Sequence, residues 1–129
     1  MNYPAALPQG LRTLLYPAPD IARAKTWYAR AFGVEPYFDQ PFYVGFNIGG
    51  FELGLLPDAA VPPQPAGAIG YWGVDDVAAA HARMIELGAK SHEEPHEVGG
   101  GIIVASVIDP FGNIIGLIRN PHFDRAAVR

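Results

Sequence analysis

Two stretches of the sequence decide the fold: LLYPAPD at residues 14–20 and GYWGVDD at residues 70–76. Each has the apolar character of a short strand and ends at an aspartate, whose side chain can accept hydrogen bonds from the first turn of a helix. A helical pattern follows each aspartate and stops at a glycine, Gly33 or Gly88, because glycine enters the left-handed C-terminal conformation without steric cost. The chain is therefore built from two copies of one unit.

Both predicted helices carry one apolar face. Spacings of three, four and seven residues place apolar side chains on one side of residues 21–32 and of residues 77–87, so each helix is expected to pack on a sheet. These side chains are Ile21, Ala24, Trp27, Tyr28, Ala31 and Phe32 in the first helix, and Val77, Ala80, Met84 and Leu87 in the second. Charged side chains off these faces, such as Arg83, are expected to lie in solvent.

Three strand patterns follow each helix. They lie at residues 35–38, 43–48 and 51–56 in the first copy, and at residues 90–94, 102–108 and 113–119 in the second. A Gly49-Gly50 turn joins the last two strands of the first copy, and the turn Asp109–Asn113 joins those of the second. The order β-α-β-β-β therefore occurs twice.

This order predicts an α+β fold. Two tandem βαβββ modules are expected to form a curved eight-stranded mixed sheet, with the helices on the convex side and a cleft on the concave side. We expect one domain over residues 1–129, with module one at about 11–57 and module two at about 67–120. The proline-rich residues 57–66 are expected to link the modules, since prolines do not serve a central strand.

Composition limits the kinds of partner. The 129 residues are 50% hydrophobic and 17% charged, which favours a single folded domain over disorder. The absence of cysteine excludes disulfides and thiolate chemistry, and a net charge of −4 without a Lys/Arg cluster argues against nucleic acid. No apolar run approaches the ~20 residues that span a bilayer, and no secretory signal pattern is visible. We therefore expect a cytoplasmic protein without membrane association.

The layout resembles the vicinal oxygen chelate superfamily, which includes glyoxalase I, extradiol dioxygenases and the fosfomycin- and bleomycin-resistance proteins. The resemblance covers roughly residues 11–120 and rests on short motifs in a fixed order. They are Pro19-Asp20-Ile21, Trp27-Tyr28, Phe32-Gly33 and the strand from Gly50 to Leu56 in the first half, and Val74-Asp75-Asp76-Val77, Leu87-Gly88-Ala89 and Asp109-Pro110-Phe111-Gly112-Asn113 in the second.

The resemblance also implies where a metal would be bound. Enzymes of the superfamily hold a divalent ion with His and Glu side chains at symmetric strand positions, and counting from the motifs puts these positions at Thr13, Gly54, Ile69 and Gly116. Two glycines, a hydrocarbon and a neutral hydroxyl do not supply the donors that such ions need. We therefore expect no metal, no cofactor and no catalytic residue at these positions.

The two symmetric glycines, Gly54 and Gly116, have two interpretations. Glycine within a strand marks close approach of a ligand or another backbone, or it eases curvature of the sheet. Because side chains alternate between faces, other residues would share the concave side with these glycines. The candidate ligand-binding residues are accordingly Tyr43, Asn47, Glu52 and Tyr71, together with Thr13, Gly54, Ile69 and Gly116. Aromatic rings, an amide and a carboxylate within apolar walls are typical of a small-molecule pocket.

One other segment concentrates metal-binding side chains. His92 and His96 could share a strand face and bind a metal together with Glu94. Because Pro95 interrupts pairing there, a solvated hairpin is the favoured interpretation. The glycines at 99–101 could instead form a mobile flap over the cleft.

Three hypotheses about function follow. The first is a metal-independent protein that binds a small molecule, akin to the bleomycin-resistance type, and sequesters an amphipathic or cationic compound. The second is a glyoxalase- or dioxygenase-like enzyme, a lyase or isomerase, with relocated metal ligands. The third is a non-catalytic dimerisation module. A charged fraction of 17% also favours a homodimer, because it is below the ~25% usual for soluble domains.

Overall fold

The computed structural model describes residues 5–7, 9–59 and 68–128, so most of the predicted linker, residues 60–66, lies outside the described residues. The first module contains strand β1, helix α1 and strands β2 to β4; the second contains β5, α2 and β6 to β8. Their bounds are β1 Thr13–Pro17, α1 Ile21–Phe32, β2 Phe38–Gln40, β3 Tyr43–Ile48, β4 Phe51–Leu56, β5 Tyr71–Gly73, α2 Val77–Glu86, β6 Lys90–Gly99, β7 Ile102–Ile108 and β8 Ile114–Arg119. The tandem βαβββ architecture is confirmed.

The eight strands form two mixed sheets of four. Their orders are β1-β4-β3-β2 and β5-β8-β7-β6, with β1–β4 and β5–β8 parallel and the other pairs antiparallel. Within the described residues no ladder joins the sheets, so the expected eight-stranded sheet consists of two hydrogen-bonded halves. The edge strands β1 and β5 nevertheless lie close together, since the Trp72 indole N–H donates to the Tyr16 hydroxyl at 3.1 Å.

Three strands differ from their predicted bounds: β8 by one residue, since it begins at Ile114 rather than at residue 113, and β2 and β6 by more. β2 begins at Phe38 rather than at residue 35, and β6 continues to Gly99 instead of stopping at Glu94. β6 contains Pro95 because it is the outer strand of its sheet, where a missing N–H costs no ladder bond on the free side. Its pairing with β7 is interrupted by register shifts, one of them between Glu93 and His96.

Both helices begin as the sequence predicts. Asp20 accepts a hydrogen bond from the Arg23 backbone N–H at 3.3 Å, and Asp76 accepts one from Ala79 at 3.0 Å. α1 ends at Gly33, whose φ of 69° is left-handed. Neither helix in the described part of the chain has the length and apolar character needed to span a bilayer.

The predicted apolar faces build one core between the helices and the sheets. Alternate strand residues point into it and are almost fully buried: Val44, Phe46, Leu53 and Leu55 from the first module, and Ala105, Val107, Ile115 and Leu117 from the second. Tyr28 and Ala24 of α1 are completely buried against them. Since strand side chains alternate, the intervening residues lie on the opposite face of each sheet, which we call the open face.

The turn Asp109–Asn113 fastens the second module to the first. One Asp109 oxygen accepts the backbone N–H groups of Phe111 and Asn113, at 2.9 and 2.8 Å. The other accepts the hydroxyl of the buried Tyr28. The Asn113 amide donates to the Pro17 carbonyl at 2.8 Å. This turn therefore connects the two modules through side-chain hydrogen bonds to Tyr28 and Pro17.

Arg83 departs from its expected role as a solvated charge. Its guanidinium donates to the Ala31 carbonyl at 2.8 Å and to the Arg30 carbonyl at 2.7 Å, both at the C-terminal end of α1. These carbonyls have no partner within their own helix, so Arg83 satisfies them and places a positive charge at the negative end of the helix dipole.

Candidate binding face

The open face of the first sheet is centred on Glu52 of β4. Its two carboxylate oxygens accept hydrogen bonds from two tyrosine hydroxyls, that of Tyr37 just before β2 and that of Tyr43 at the start of β3. These bonds hold the pKa of Glu52 below its ordinary value, Tyr37 contributing most. The carboxylate is therefore charged and fixed in orientation.

The pKa values of the two tyrosines are shifted in the opposite direction, upward. The hydrogen bond to Glu52 raises the pKa of Tyr37, because a phenolate could not donate it. The pKa of Tyr43 is raised chiefly by burial and further by its bond to Glu52. Both hydroxyls thus remain protonated donors, and the three side chains form one polar cluster, which we call the Glu52 cluster.

The glycines of this sheet make room for the tyrosine rings. An ideal Cβ on Gly54 would lie 2.7 Å from Leu15 Cδ2 and closer still to the Tyr43 hydroxyl. One on Gly45 would lie 3.2 Å from ring carbons of both Tyr37 and Tyr43. The aromatic rings therefore lie across the sheet and occupy the space above the glycines. The sequence alone suggests that a ligand approaches there or that the glycines ease curvature of the sheet. Gly54 is needed because a tyrosine of the same chain covers it.

The second sheet repeats this arrangement at Gly116. An ideal Cβ there would lie 2.6 Å from Tyr71 Cδ1 and 2.7 Å from the Gly70 carbonyl oxygen, which accepts the Gly116 N–H at 3.0 Å. Tyr71 is 41% exposed, so one side of its ring faces solvent. The structure thus places Tyr71 and Gly116 together, as the alternation predicts.

The four positions implied for a metal do not fit one. Thr13 is exposed at the start of β1, and Ile69 is half-buried just before β5. The space above Gly54 and Gly116 is filled by tyrosine rings, so the only polar side-chain donor of the four is the Thr13 hydroxyl. Within residues 5–7, 9–59 and 68–128, no three His, Asp or Glu side chains cluster closely enough to hold a metal ion.

Asn47 lies beside the Glu52 cluster, but its side chain stabilises the turn between β3 and β4. It pairs with Glu52 across β3 and β4, and its Oδ1 accepts the Gly50 N–H at 2.8 Å, which fixes the hairpin turn. A shallow cavity of about 170 Å³ lies here, lined by Tyr37, Asn47, Gly50, Phe51 and Glu52. A ligand at Glu52 would therefore touch Asn47 at the edge of this cavity.

Sequence reasoning missed an aromatic group beside the cluster. Tyr37 and Phe42 are each more than 60% exposed, and the Phe38 ring centre lies 6.0 Å from those of Phe42 and Tyr43. Four aromatic residues within residues 37–43 signal this group, but the strand pattern at residues 35–38 includes the first two and gives no indication of their exposure. Exposed aromatic rings next to a carboxylate form a surface suited to an amphipathic cation.

His92 and His96 both face the Glu93 carboxylate, whose two oxygens lie 3.9 Å from His92 Nδ1 and from His96 Nε2, whereas Glu94 lies 3.4 Å from His81 Nε2 instead. Among the described residues these side chains do not form a group of three that could hold a metal ion. His92 Nδ1 lies 2.8 Å from Ser106 Oγ, whereas His96 Nδ1 lies 2.8 Å from the Glu94 carbonyl oxygen. His81, on α2, is buried and bonds to Ser91 Oγ at 2.9 Å. The segment is an outer strand with interrupted pairing, joined to β7 as a hairpin. The glycine turn at 99–101 is tied down, because His122 Nε2 lies 2.6 Å from the Gly100 carbonyl oxygen.

Known proteins share this architecture. The profile of the Glyoxalase/Bleomycin resistance protein/Dioxygenase superfamily matches residues 10–117, whereas no curated protein matches the chain. A solved structure of a glyoxalase-related enzyme from Fulvimarina pelagi is 22% identical, with a TM-score of 0.71 over 88% of this chain and 89% of its own. A lactoylglutathione lyase from Agrobacterium tumefaciens is 24% identical, with a TM-score of 0.69 over 90% and 98%. TioX from Micromonospora sp. ML1 is 21% identical, with a TM-score of 0.67 over 85% and 98%. At these identities the likeness establishes a common fold.

Proposed function

The chain belongs to the Glyoxalase/Bleomycin resistance protein/Dioxygenase superfamily, and we propose that it binds a small amphipathic cation on its open face, without a metal ion and without converting it. The observation that carries this proposal is the Glu52 cluster. A carboxylate whose two oxygens are held by tyrosine hydroxyls is charged and oriented before a ligand arrives, so little entropy is lost in ordering it.

Aromatic surface around the carboxylate supports a ligand that is both cationic and apolar. The rings of Tyr37, Phe38 and Tyr43 offer stacking area, and a positive group above an aromatic face gains about 0.5–2 kcal/mol depending on its desolvation. The chain's net charge of −4 favours the approach of a cation over that of an anion.

The donor set supports binding without a metal. Thr13, Gly54, Ile69 and Gly116 supply no carboxylate and no imidazole, and ions such as zinc or iron need several such ligands at one point. Glu52 is one carboxylate, and a single carboxylate does not supply the several ligands that such an ion needs. The superfamily's name includes both enzymes and resistance proteins, and this donor set favours the binding type.

Titration calorimetry with a matched pair of probes tests the proposal. Tryptamine carries an ammonium group, and tryptophol carries a neutral hydroxyl on the same indole and chain. We expect chelator-treated protein to bind tryptamine about three- to tenfold more tightly, the factor that about 0.7–1.4 kcal/mol of cation recognition gives. Glu52→Gln should remove this preference, while Glu86→Gln, at an exposed carboxylate on α2, should retain it.

Two results would contradict the proposal. One is an equal affinity of the parent protein for tryptamine and tryptophol. The other is turnover, measured as formation of lactoylglutathione, that disappears when the chelator is added, because that would place a metal-dependent enzyme on this fold. Pairing of two copies remains a prediction from the charged fraction of 17%, checked by the mass of the particle in solution.

A further inference from the structure

Asn47 and Glu52 form a polar pair on the open face of the first sheet. They are partners across β3 and β4, where the Cβ atoms of opposite residues are about 4.5–5.5 Å apart. Both side chains point away from the core, because the neighbouring residues Phe46 and Leu53 are fully buried. Both also line the same shallow cavity of about 170 Å³. A ligand held at Glu52 is therefore within reach of the Asn47 side chain.

The hairpin turn determines which end of the Asn47 amide is available. A backbone N–H can only donate, so the atom that lies 2.8 Å from the Gly50 nitrogen is the amide oxygen, Oδ1. The Nδ2 group is left with two N–H donors, and none of the described residues accepts a hydrogen bond from them. Because Asn47 is exposed, a ligand in the cavity can reach these donors.

Glu52 retains capacity to bind a cation. Each carboxylate oxygen can accept two hydrogen bonds, and each accepts one from a tyrosine hydroxyl. Glu52 is also the only charged residue among the five described residues that line the cavity. A carboxylate on the ligand would therefore meet no cation there and would be repelled by Glu52. An acceptor oxygen beside the cationic group is favoured only if it is neutral.

The corresponding pair of the second module is apolar. In β8 the residue two positions before Gly116 is Ile114, which stands where Glu52 stands in β4. Its partner on β7 is Ile108, which stands where Asn47 stands in β3. The fold therefore accepts hydrocarbon side chains at both positions, and this favours a role in binding for the polar pair.

We propose that Asn47 is a second binding residue of this site, and that it donates a hydrogen bond from Nδ2 to a neutral acceptor oxygen of the ligand while Glu52 accepts one from the ligand's ammonium group. The inference rests on the proposed function. It narrows the ligand class from an amphipathic cation to one that carries a carbonyl oxygen close to its cationic nitrogen and no carboxylate.

Tryptophanamide and tryptamine test the inference as a pair, because only the amide carries a carbonyl. At about pH 6 both are singly charged, since an α-amino group titrates at about 7.7–8.0, and Glu52 is ionised because its pKa is lowered. By titration calorimetry we expect the parent protein to bind tryptophanamide about three- to tenfold more tightly, the effect of one added hydrogen bond. Tryptophan, with a carboxylate in place of the amide, should bind less tightly than tryptophanamide. Tighter binding of tryptophan would overturn the assignment of a neutral oxygen.

Asn47→Asp separates the two ends of the amide. The aspartate can still accept the Gly50 N–H, but an acceptor oxygen replaces the donor group. We expect tryptophanamide to lose its advantage, while tryptamine binds at least as tightly as it does to the parent protein. Asn47→Ala removes the donor without adding a charge and should also make the two affinities equal.

Asn120→Asp is the matched control. Asn120 Oδ1 accepts the His122 N–H at 2.9 Å, so the same substitution is made at an asparagine with the same kind of backbone bond, outside the cavity. This variant should keep the preference for tryptophanamide. A loss of the preference in Asn120→Asp as large as in Asn47→Asp would overturn the role of Asn47.

Glu52→Gln distinguishes failure of this inference from failure of the proposed function. We expect it to weaken the binding of both tryptamine and tryptophanamide, and if it weakens neither, the proposed function fails. If Glu52→Gln weakens both while Asn47→Asp and Asn47→Ala keep the parent's ratio of affinities, only the role of Asn47 is overturned. Equal affinities of the parent protein for the two probes would overturn it as well.

Discussion

At the scale of single residues, the decisive feature is the pairing of glycines with tyrosines. Tyr43 reaches Glu52 only by crossing Gly54, and Tyr71 lies over Gly116 in the same way. Alternation along the strands could predict that these residues share a face. Alternation could not predict that tyrosine side chains of the same chain fill the space above the glycines, because the direction of a tyrosine side chain depends on its rotamer and its hydrogen-bond partner.

Gly54→Ala tests this pairing. Its Cβ would meet the Tyr43 hydroxyl and Leu15 Cδ2, so we expect Tyr43 to be displaced from Glu52 and the free energy of unfolding to fall by about 1–3 kcal/mol, the usual cost of overpacking. Once detached, Tyr43 should titrate at a lower pH, because its bond to Glu52 no longer raises its pKa. Denaturant unfolding and the phenolate absorbance measure these two effects.

Gly73→Ala is the matched control for that substitution. Gly73 also lies in a strand, but a Cβ there would meet nothing within 4 Å and its φ is not left-handed. The alanine should therefore change stability by less than about 0.5 kcal/mol. If Gly54→Ala and Gly73→Ala unfold at the same denaturant concentration with the same tyrosine titration, the filling of Gly54 by Tyr43 is wrong.

At the scale of the elements, the sequence predicted the regular parts well. α1, β3, β4 and β7 have their predicted bounds because local signals flank them: a capping aspartate and a glycine stop for α1, and glycine, proline or aspartate turn residues for the three strands. β2 and β6 were less well predicted, since both are outer strands whose ends depend on pairing with β3 and β7. Exposed edge strands lack the alternation that a buried face imposes, so the hydropathy pattern does not mark where they begin and end.

Arg83 shows how one element acts on another. Its two hydrogen bonds join α2 to the last carbonyls of α1, a contact that no local pattern reveals. We expect Arg83→Ala to lower the free energy of unfolding by about 1 kcal/mol, since it leaves those carbonyls and the helix dipole without their cation. Thermal unfolding measures the change.

Glu86→Ala provides the comparison, because it removes an exposed charge from the same helix without touching α1. Arg83→Lys should recover part of the loss, as an ammonium keeps the charge but cannot donate in a fork to both carbonyls. Equal melting temperatures for Arg83→Ala and Glu86→Ala would show that the contact between the helices contributes nothing.

At the scale of the whole molecule, the two modules share one core but differ on their open faces. The turn at Asp109 and the bond between Trp72 and Tyr16 hold the modules together, and burial there raises the pKa of Tyr16 to about 12. The first face presents the Glu52 carboxylate among aromatic rings, whereas in the second Tyr71 covers Gly116, and Ile114 stands where Glu52 stands in the first. The repeat could be predicted from sequence, but the different chemistry of its halves appears only when equivalent positions are superposed through the strand register.

The central claim is that the Glu52 cluster holds a cation on the open face without help from a metal ion. A crystal structure of chelator-treated protein grown with tryptamine tests it most directly. The account predicts the ammonium group within hydrogen-bond distance of a Glu52 oxygen, roughly 2.7–3.2 Å, and the indole against the rings of Tyr37, Phe38 or Tyr43. Tryptamine bound elsewhere, with Glu52 touching only its two tyrosines, would contradict the account.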